Sequence, residues 1–205
     1  MRFSIDRLRT DVMARMGEIA RPRGQSPTES AIDTVPWPED IIGLKVSSLL
    51  PEVGSRLIRE SPLLLPDCGA SSPEICRMRQ MPCGLYAAEA RLPVTFIRLE
   101  SAMLSGWRID VRSVVMPSSP EWSRQWSAEA GIAGCPVRPM AYVDSDSGGP
   151  LLRLVGSEME AAGLEWLNVW TVPEPDSSGG FDFPEVLYAE LVGVLCGNYK
   201  QKFGG

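Results

Sequence analysis

The placement of prolines constrains this chain more than any other feature. After Ser61, Pro62, Pro66, Pro73 and Pro82 cut the sequence into pieces too short for long helices, because proline lacks the backbone donor that a helix interior needs. Before that point the sequence carries amphipathic stripes. Ile5, Leu8, Val12, Met16 and Ile19 recur at spacings of three and four behind Ser4 as a cap, and they predict a helix over residues 3–19. Arg21 to Pro36 is a breaker-rich connection containing Pro22, Gly24, Pro27 and Pro36. Helix resumes at Pro38, a first-turn proline ahead of Glu39 and Asp40, with Ile42, Val46, Leu49 and Leu50 as its buried face. Pro51 interrupts that ladder. A further helical piece runs from Glu52 to Glu60 on Val53, Leu57 and Ile58, and the two pieces read equally well as one kinked helix.

The middle of the chain reads as strands. Gly84 to Ala90 is one; Val94 to Glu100 is a second, started by Pro93 and carrying Arg98. Trp107 to Met116 alternates better, with Trp107, Ile109, Val111 and Val115 on one face and Arg108, Asp110 and Arg112 on the other. Pro117 to Glu121 ends that segment and opens a short helix capped by Ser118 or Ser119, with Trp122 and Trp126 four apart on one face. Val137 to Val143 and Leu151 to Val155 bracket Asp144-Ser145-Asp146-Ser147-Gly148-Gly149-Pro150, which predicts a hairpin with a loop longer than two residues. Leu164 to Val172 is apolar on both parities, as in a strand covered on both sides or turned toward a neighbouring chain. After a loop over 173–180, Asp182 caps a helix from Pro184 to about Asn198 on Leu187, Leu191, Val194 and Leu195, and Lys200 to Gly205 forms a frayed tail. The expected fold class is α+β: residues 1–60 and 181–205 form a small helical bundle, and 61–180 is an inserted, mainly antiparallel β-rich domain.

Charge and composition narrow the function. A formal net charge of −6 over 205 residues argues against a protein whose main task is to grip nucleic acid phosphates, and suits a surface over which DNA slides without sticking. The cations are 17 arginines and three lysines, and the planar guanidinium favours interface contacts, although genomic base composition produces the same skew. Five cysteines, an odd number, disfavour a disulfide framework and fit a reducing compartment; Cys68, Cys76 and Cys83 are spaced too widely for zinc knuckles. No run of 18 apolar residues predicts a membrane-spanning helix, and the charged start through Arg15 lacks the apolar core of a signal peptide.

No histidine is present, which removes Ser-His-acid and Cys-His nucleophile systems and any metal site that needs imidazole. Lys45 and Ser48 have Ser-Lys spacing but fall toward the solvated side of their helix. Asp144 and Asp146 resemble the start of a calcium loop that lacks its glutamate at the twelfth position, and Gly148-Gly149 precedes a proline rather than a helix. No catalytic, cofactor or metal residue is assigned, and no cofactor is expected. Six tryptophans are more than a small core needs. Trp122 and Trp126 beside Arg124 have the composition of an interface hot spot, and Arg138 joins them as an interface candidate.

Several motifs recur in one order. They are Leu92-Pro93-Val94-Thr95-Phe96-Ile97-Arg98-Leu99, then Trp107-Arg108, then Ser119-Pro120-Glu121-Trp122 with Gln125 nearby, then Gly134-Cys135-Pro136-Val137-Arg138-Pro139-Met140-Ala141. With the earlier Leu50-Pro51-Glu52 step and a closing helix, residues 38–198 resemble the head–tail connector, adaptor or head-completion proteins of tailed bacteriophages and prophages, those of crAss-like phages above all. The chain departs from the pattern at Val94 and Thr95, where an acidic or aromatic residue often precedes the phenylalanine, and its 61–83 stretch has no counterpart in the family. The resemblance implies a non-enzymatic virion protein of the head–tail junction, assembled in the host cytoplasm. It implies rings of identical subunits, commonly twelve, that contact the portal protein and a tail or second ring protein and prolong the channel for passing DNA. A non-viral protein-binding or scaffold module is the alternative reading, and an enzyme with a carboxylate-only site is a third.

Overall fold

Among the described residues the striped stretches are helical, and the proline-cut middle of the sequence is mostly strand and loop. The structure is a computed structural model that describes residues 1–20, 39–65, 69–71, 75–116, 119–124 and 137–203. In chain order the elements are β1 (Arg2–Ser4), α1 (Ile5–Ala20), α2 (Glu39–Glu60), β2 (Gly69–Ser71), β3 (Ile75–Gln80), β4 (Tyr86–Arg91), β5 (Phe96–Leu104), α3 (Pro120–Arg124), β6 (Met140–Asp146), β7 (Gly149–Ser157), β8 (Leu164–Thr171), β9 (Gly180–Asp182) and α4 (Glu185–Phe203). The fold is α+β, with terminal helices and an inserted, antiparallel sheet domain. The chain divides into two units, Met1–Asp67 with Val172–Gly205, and Cys68–Thr171. The 172–180 segment therefore goes with the helices.

In the first unit α1, α2 and α4 pack against one another. Ser4 caps α1 as its sequence predicts: its Oγ accepts the Arg7 N–H at 3.2 Å, and the Ile5 N–H finds Gly179 O at 2.9 Å. Leu8 and Val12 of α1 are fully buried. α2 runs unbroken through Pro51. An interior proline costs about 3 kcal/mol, and burial of Val46, Leu50, Val53, Leu57 and Ile58, worth about 1.5–3 kcal/mol each, exceeds that cost. α4 buries Leu187, Leu191, Val192, Leu195 and Cys196, while Val194 is half-buried. It continues past Gly197 to Phe203, so residues expected in a frayed tail are helical. Asp182, read as a cap, lies instead in β9 opposite Arg2.

Two three-residue strands tie the chain ends. β1 pairs antiparallel with β9, Phe3 opposite Phe181, and Met1 exchanges backbone bonds with Phe183. Phe3 stacks on Tyr188 with ring centroids 4.2 Å apart and planes at 10°, and it lies 6.0 Å from Phe181. The Tyr188 hydroxyl donates to Asp11 Oδ2 at 2.8 Å. Nearby, α2 approaches Pro173 so closely that a Cβ on Gly54 would sit 2.6 Å from the proline Cγ and 3.3 Å from Phe183.

The second unit is a sandwich of a four-stranded sheet, order β3-β4-β7-β6, and a three-stranded sheet, order β2-β8-β5, every pair antiparallel. Alternation aims Ala88, Ala141, Leu152 and Leu154 of the first and Leu99, Ala102, Leu167 and Val169 of the second into one core. Alanines on β4 leave room for the leucines of its neighbour. The β6–β7 hairpin is tighter than expected: Asp146 pairs with Gly149, so only Ser147 and Gly148 make the turn, and Gly149 at φ 109° supplies a conformation closed to most side chains. β5 starts at Phe96, because Pro93 to Phe96 is a turn closed by the Phe96 N–H on Pro93 O at 3.0 Å. Trp107 to Met116 forms no strand. It is a strap that touches the sheets at single residues, Val111 on Ala102 and Val114 on Ala141.

Gly54→Ala is expected to destabilise the protein by about 1–3 kcal/mol through overpacking, despite the better helix propensity of alanine; chemical denaturation measures it. Trp107→Ala is expected to cost about 3–5 kcal/mol, since the indole lies in the sandwich core. A Trp107→Ala protein that kept its full melting temperature would remove the strap from that core.

Candidate assembly surface

Of the four interface residues read from the sequence, Arg124, Arg138 and the backbone of Trp122 fall among the described residues, on α3 and just ahead of β6. Trp122 and Arg124 lie on α3, whose Ser123 hydroxyl donates to Pro120 O at 2.9 Å. Arg124 is exposed. The Trp122 side chain and the whole of Trp126 lie outside the described residues, as do Cys68, Cys135 and the Arg21–Pro36 connection. Arg138 is exposed two residues ahead of β6.

Cross-strand register assembles a charged group that no local pattern announces. On the face of the four-stranded sheet turned away from the core, Glu89, Arg153 and Tyr142 form one row. Arg153 lies 3.1 Å from Glu89 and 3.3 Å from Asp144, donates to the Tyr142 hydroxyl at 3.3 Å, and sits 5.6 Å above that ring. Burial pulls the Arg153 guanidinium toward neutrality, but the Tyr142 hydrogen bond and the charges of Glu89 and Asp144 leave its pKa raised. Asp146 bonds Arg91, and that pairing, helped by the Gly148 N–H, lowers its pKa. The hairpin carboxylates thus meet guanidinium groups and do not converge on a common point. On the other sheet Arg98 lies 2.8 Å from Glu100, which is only 7% exposed. Ser48, spaced for a Ser-Lys pair, donates its hydroxyl to the Lys45 carbonyl at 2.9 Å.

The strap is the other feature that the sequence placed but misread. β5 is an outer strand of one sheet and β6 of the other, and the strap spans both. Its first half is anchored by buried Trp107 and Val111, and Ala102 and Val111 exchange both backbone bonds at 2.8 and 2.9 Å. The Trp107 Nε1 is buried without a hydrogen-bond partner among the described residues, a cost of about 1–3 kcal/mol. Among the described residues the second half is joined to β6 by the Val114–Ala141 bridge, with the Val115 N–H on Ala141 O at 2.7 Å, and the Ser119 N–H closes a local turn on Met116 O at 2.9 Å. Ile109 is 51% exposed, Val114 36% and Met116 64%, so the strap offers apolar side chains to solvent, one between Arg108 and Arg112 and two beyond Arg112.

In the helical unit an open depression of about 430 Å³ is lined by Arg2, Phe3, Ser4, Arg7, Ser178 and Gly180. Its cations are engaged. Arg2 pairs with Asp176, while Arg7 lies 3.8 Å from Asp11 and 5.4 Å from the Phe3 and Tyr188 rings. Burial, then the Asp11 carboxylate, push the Tyr188 phenol above its ordinary range. Asp176 accepts the Ser178 hydroxyl at 2.7 Å and the Gly180 and Ser178 N–H groups at 3.0 and 2.8 Å, which hold its pKa down at about 2. Among the described residues no group of three or more Cys, Asp or Glu is placed to hold a metal, and Cys76, Cys83 and Cys196 are in no disulfide. Comparison with protein-family models, curated proteins and solved structures finds no match to this chain.

Because the folded pKa of Asp176 lies below its ordinary 3.8, its contribution to stability is present above that ordinary value and is lost as pH falls toward about 2. The stability gap between the parental chain and Asp176→Asn is therefore expected to be largest near neutrality and to close on acidification through that window, measured by melting temperature against pH. A gap that stayed constant with pH would contradict the ionised loop carboxylate.

Proposed function

We propose that this chain is a ring-forming structural subunit of the head–tail junction of a tailed bacteriophage or prophage, a connector that prolongs the portal channel and docks the tail. The carrying observation is where the resembling motifs fall in the fold. Leu92 to Leu99 turns into β5, Trp107-Arg108 opens the strap, Ser119 to Trp122 opens α3, and Val137 to Ala141 enters β6. Each motif therefore builds a joint of the inserted sandwich. The helices from both chain ends form the other unit. Their roles are mechanical: a bundle fixes the two ends, and an insert with outer strands and exposed arginines meets neighbouring copies.

The net charge of −6 supports the channel role, since phosphates passing an acidic wall are repelled more than held. Contacts repeated around a ring are heterologous, so the surfaces that meet differ from one another. Arg124 and Arg138, both exposed, belong to such a surface.

The purified chain is expected to be monomeric or weakly associated alone and to close into rings when mixed with portal or tail partners, as seen by electron microscopy. Arg124→Ala with Arg138→Ala is expected to leave the melting temperature unchanged and to weaken assembly by about tenfold or more. A chain that stays monomeric with every such partner would overturn the proposal.

A further inference from the structure

We propose that the second half of the strap, Arg112 to Met116, is an exchangeable arm that in an assembled ring leaves β6 of its own chain and docks on β6 of the neighbouring copy. The inference rests on the ring-forming reading above and names the contact through which copies meet. The two halves of the strap are held unequally. Trp107 and Val111 are buried and Val111 shares two backbone bonds with β5, so the first half is fixed. Beyond Val111 no side chain is buried: Arg112, Ser113, Val114 and Met116 are exposed and Val115 is half-buried. Among the described residues the Val114–Ala141 bridge, with the Val115 N–H on Ala141 O, joins this half to β6, and the Arg112–Asp110 pair at 3.0 Å is internal to the strap and travels with it. Segments held by few buried contacts and few backbone bonds open at the low end of the stability range.

The acceptor is defined by the same contact. Ala141 presents its carbonyl from the outer side of β6, an edge geometry that templates pairing with an added strand. Val114 opposite Ala141 is the same pairing whether the arm comes from its own chain or another, so exchange requires no new kind of bond. Exchange replaces each such pairing by an identical one, so it costs little once copies stand side by side. Donor and acceptor are different surfaces, so passing the arm from each copy to the next is a heterologous contact of the kind that builds a ring.

The test uses full-length Val114→Cys and Ala141→Cys chains mixed in equal amounts with a portal partner, mildly oxidised and run on non-reducing gels. The expected result is a disulfide-linked dimer several-fold above that from either variant alone or from the parental chain, whose native thiols set the background. Rings in which the mixture gives no dimer above background, while a double Val114→Cys, Ala141→Cys chain closes internally, would overturn the exchange and leave the ring reading standing. Absence of rings in any mixture would overturn both. Should the buried Ala141→Cys chain fail to fold, hydrogen exchange on the parental monomer decides: the Val115 amide is expected to exchange on the order of 100-fold faster than the amides of β7, and equal protection would overturn the arm.

Discussion

Pairing of Arg2–Ser4 with Gly180–Asp182 is the constraint on which the architecture depends. Met1 and Phe183, bonded to each other, are 182 residues apart, so that contact closes a loop holding α1, α2 and the whole inserted Cys68–Thr171 unit. Closing a loop of that length costs about 4–5 kcal/mol in its length-dependent part, and two three-residue strands have too few ladder bonds to meet it. The aromatic cluster supplies the rest. Phe3 and Phe181 are buried and Phe3 stacks on Tyr188, so one short pairing gathers β1, β9 and α4, with α1 joined through the Tyr188–Asp11 bond.

That constraint was invisible in the sequence for a definite reason. Three residues hold no period, so β1 and β9 leave no alternation to find, and Asp182 looks like a helix cap until Arg2 is set opposite it. The helices were legible because sixteen or more residues repeat a face many times over. Pro51 reads on local propensity as an interruption or a kink, and buried Leu50 and Leu57 on either side of it override that preference; α4 likewise continues past Gly197. The strap shows the opposite failure. Trp107, Ile109 and Val111 alternate with Arg108, Asp110 and Arg112 as a strand should, yet alternation reports only which side chains prefer water. Whether a partner edge runs alongside is a tertiary fact, and here it does so at single residues.

The charged face of the four-stranded sheet was equally hidden. Glu89 and Arg153 are far apart in the chain and adjacent only through the β4–β7 register. Asp144 and Asp146, conspicuous as an acidic hairpin tip, are answered by Arg153 from the adjacent β7 and by Arg91 from β4, two strands away. Arginine enrichment, read as a sign of partners, is thus partly spent inside the subunit. Arg2, Arg91, Arg98 and Arg153 each face an acid of their own unit. Arg124 and Arg138 differ in kind, exposed at the two ends of the α3-to-β6 passage.

The polar pairs also explain how a sandwich can carry charge on a face away from its core without losing its register. A one-residue slip of β7 against β4 would move Arg153 off Glu89 and turn Leu152 and Leu154 out of the core together. Breaking a largely buried ion pair is far more costly than making it is favourable, because each stranded charge keeps its desolvation penalty. The Glu89–Arg153–Asp144 group therefore acts less as a source of stability than as a penalty on every wrong register. A sheet held in register this way can leave an outer strand such as β6 available for pairing without becoming free to slide.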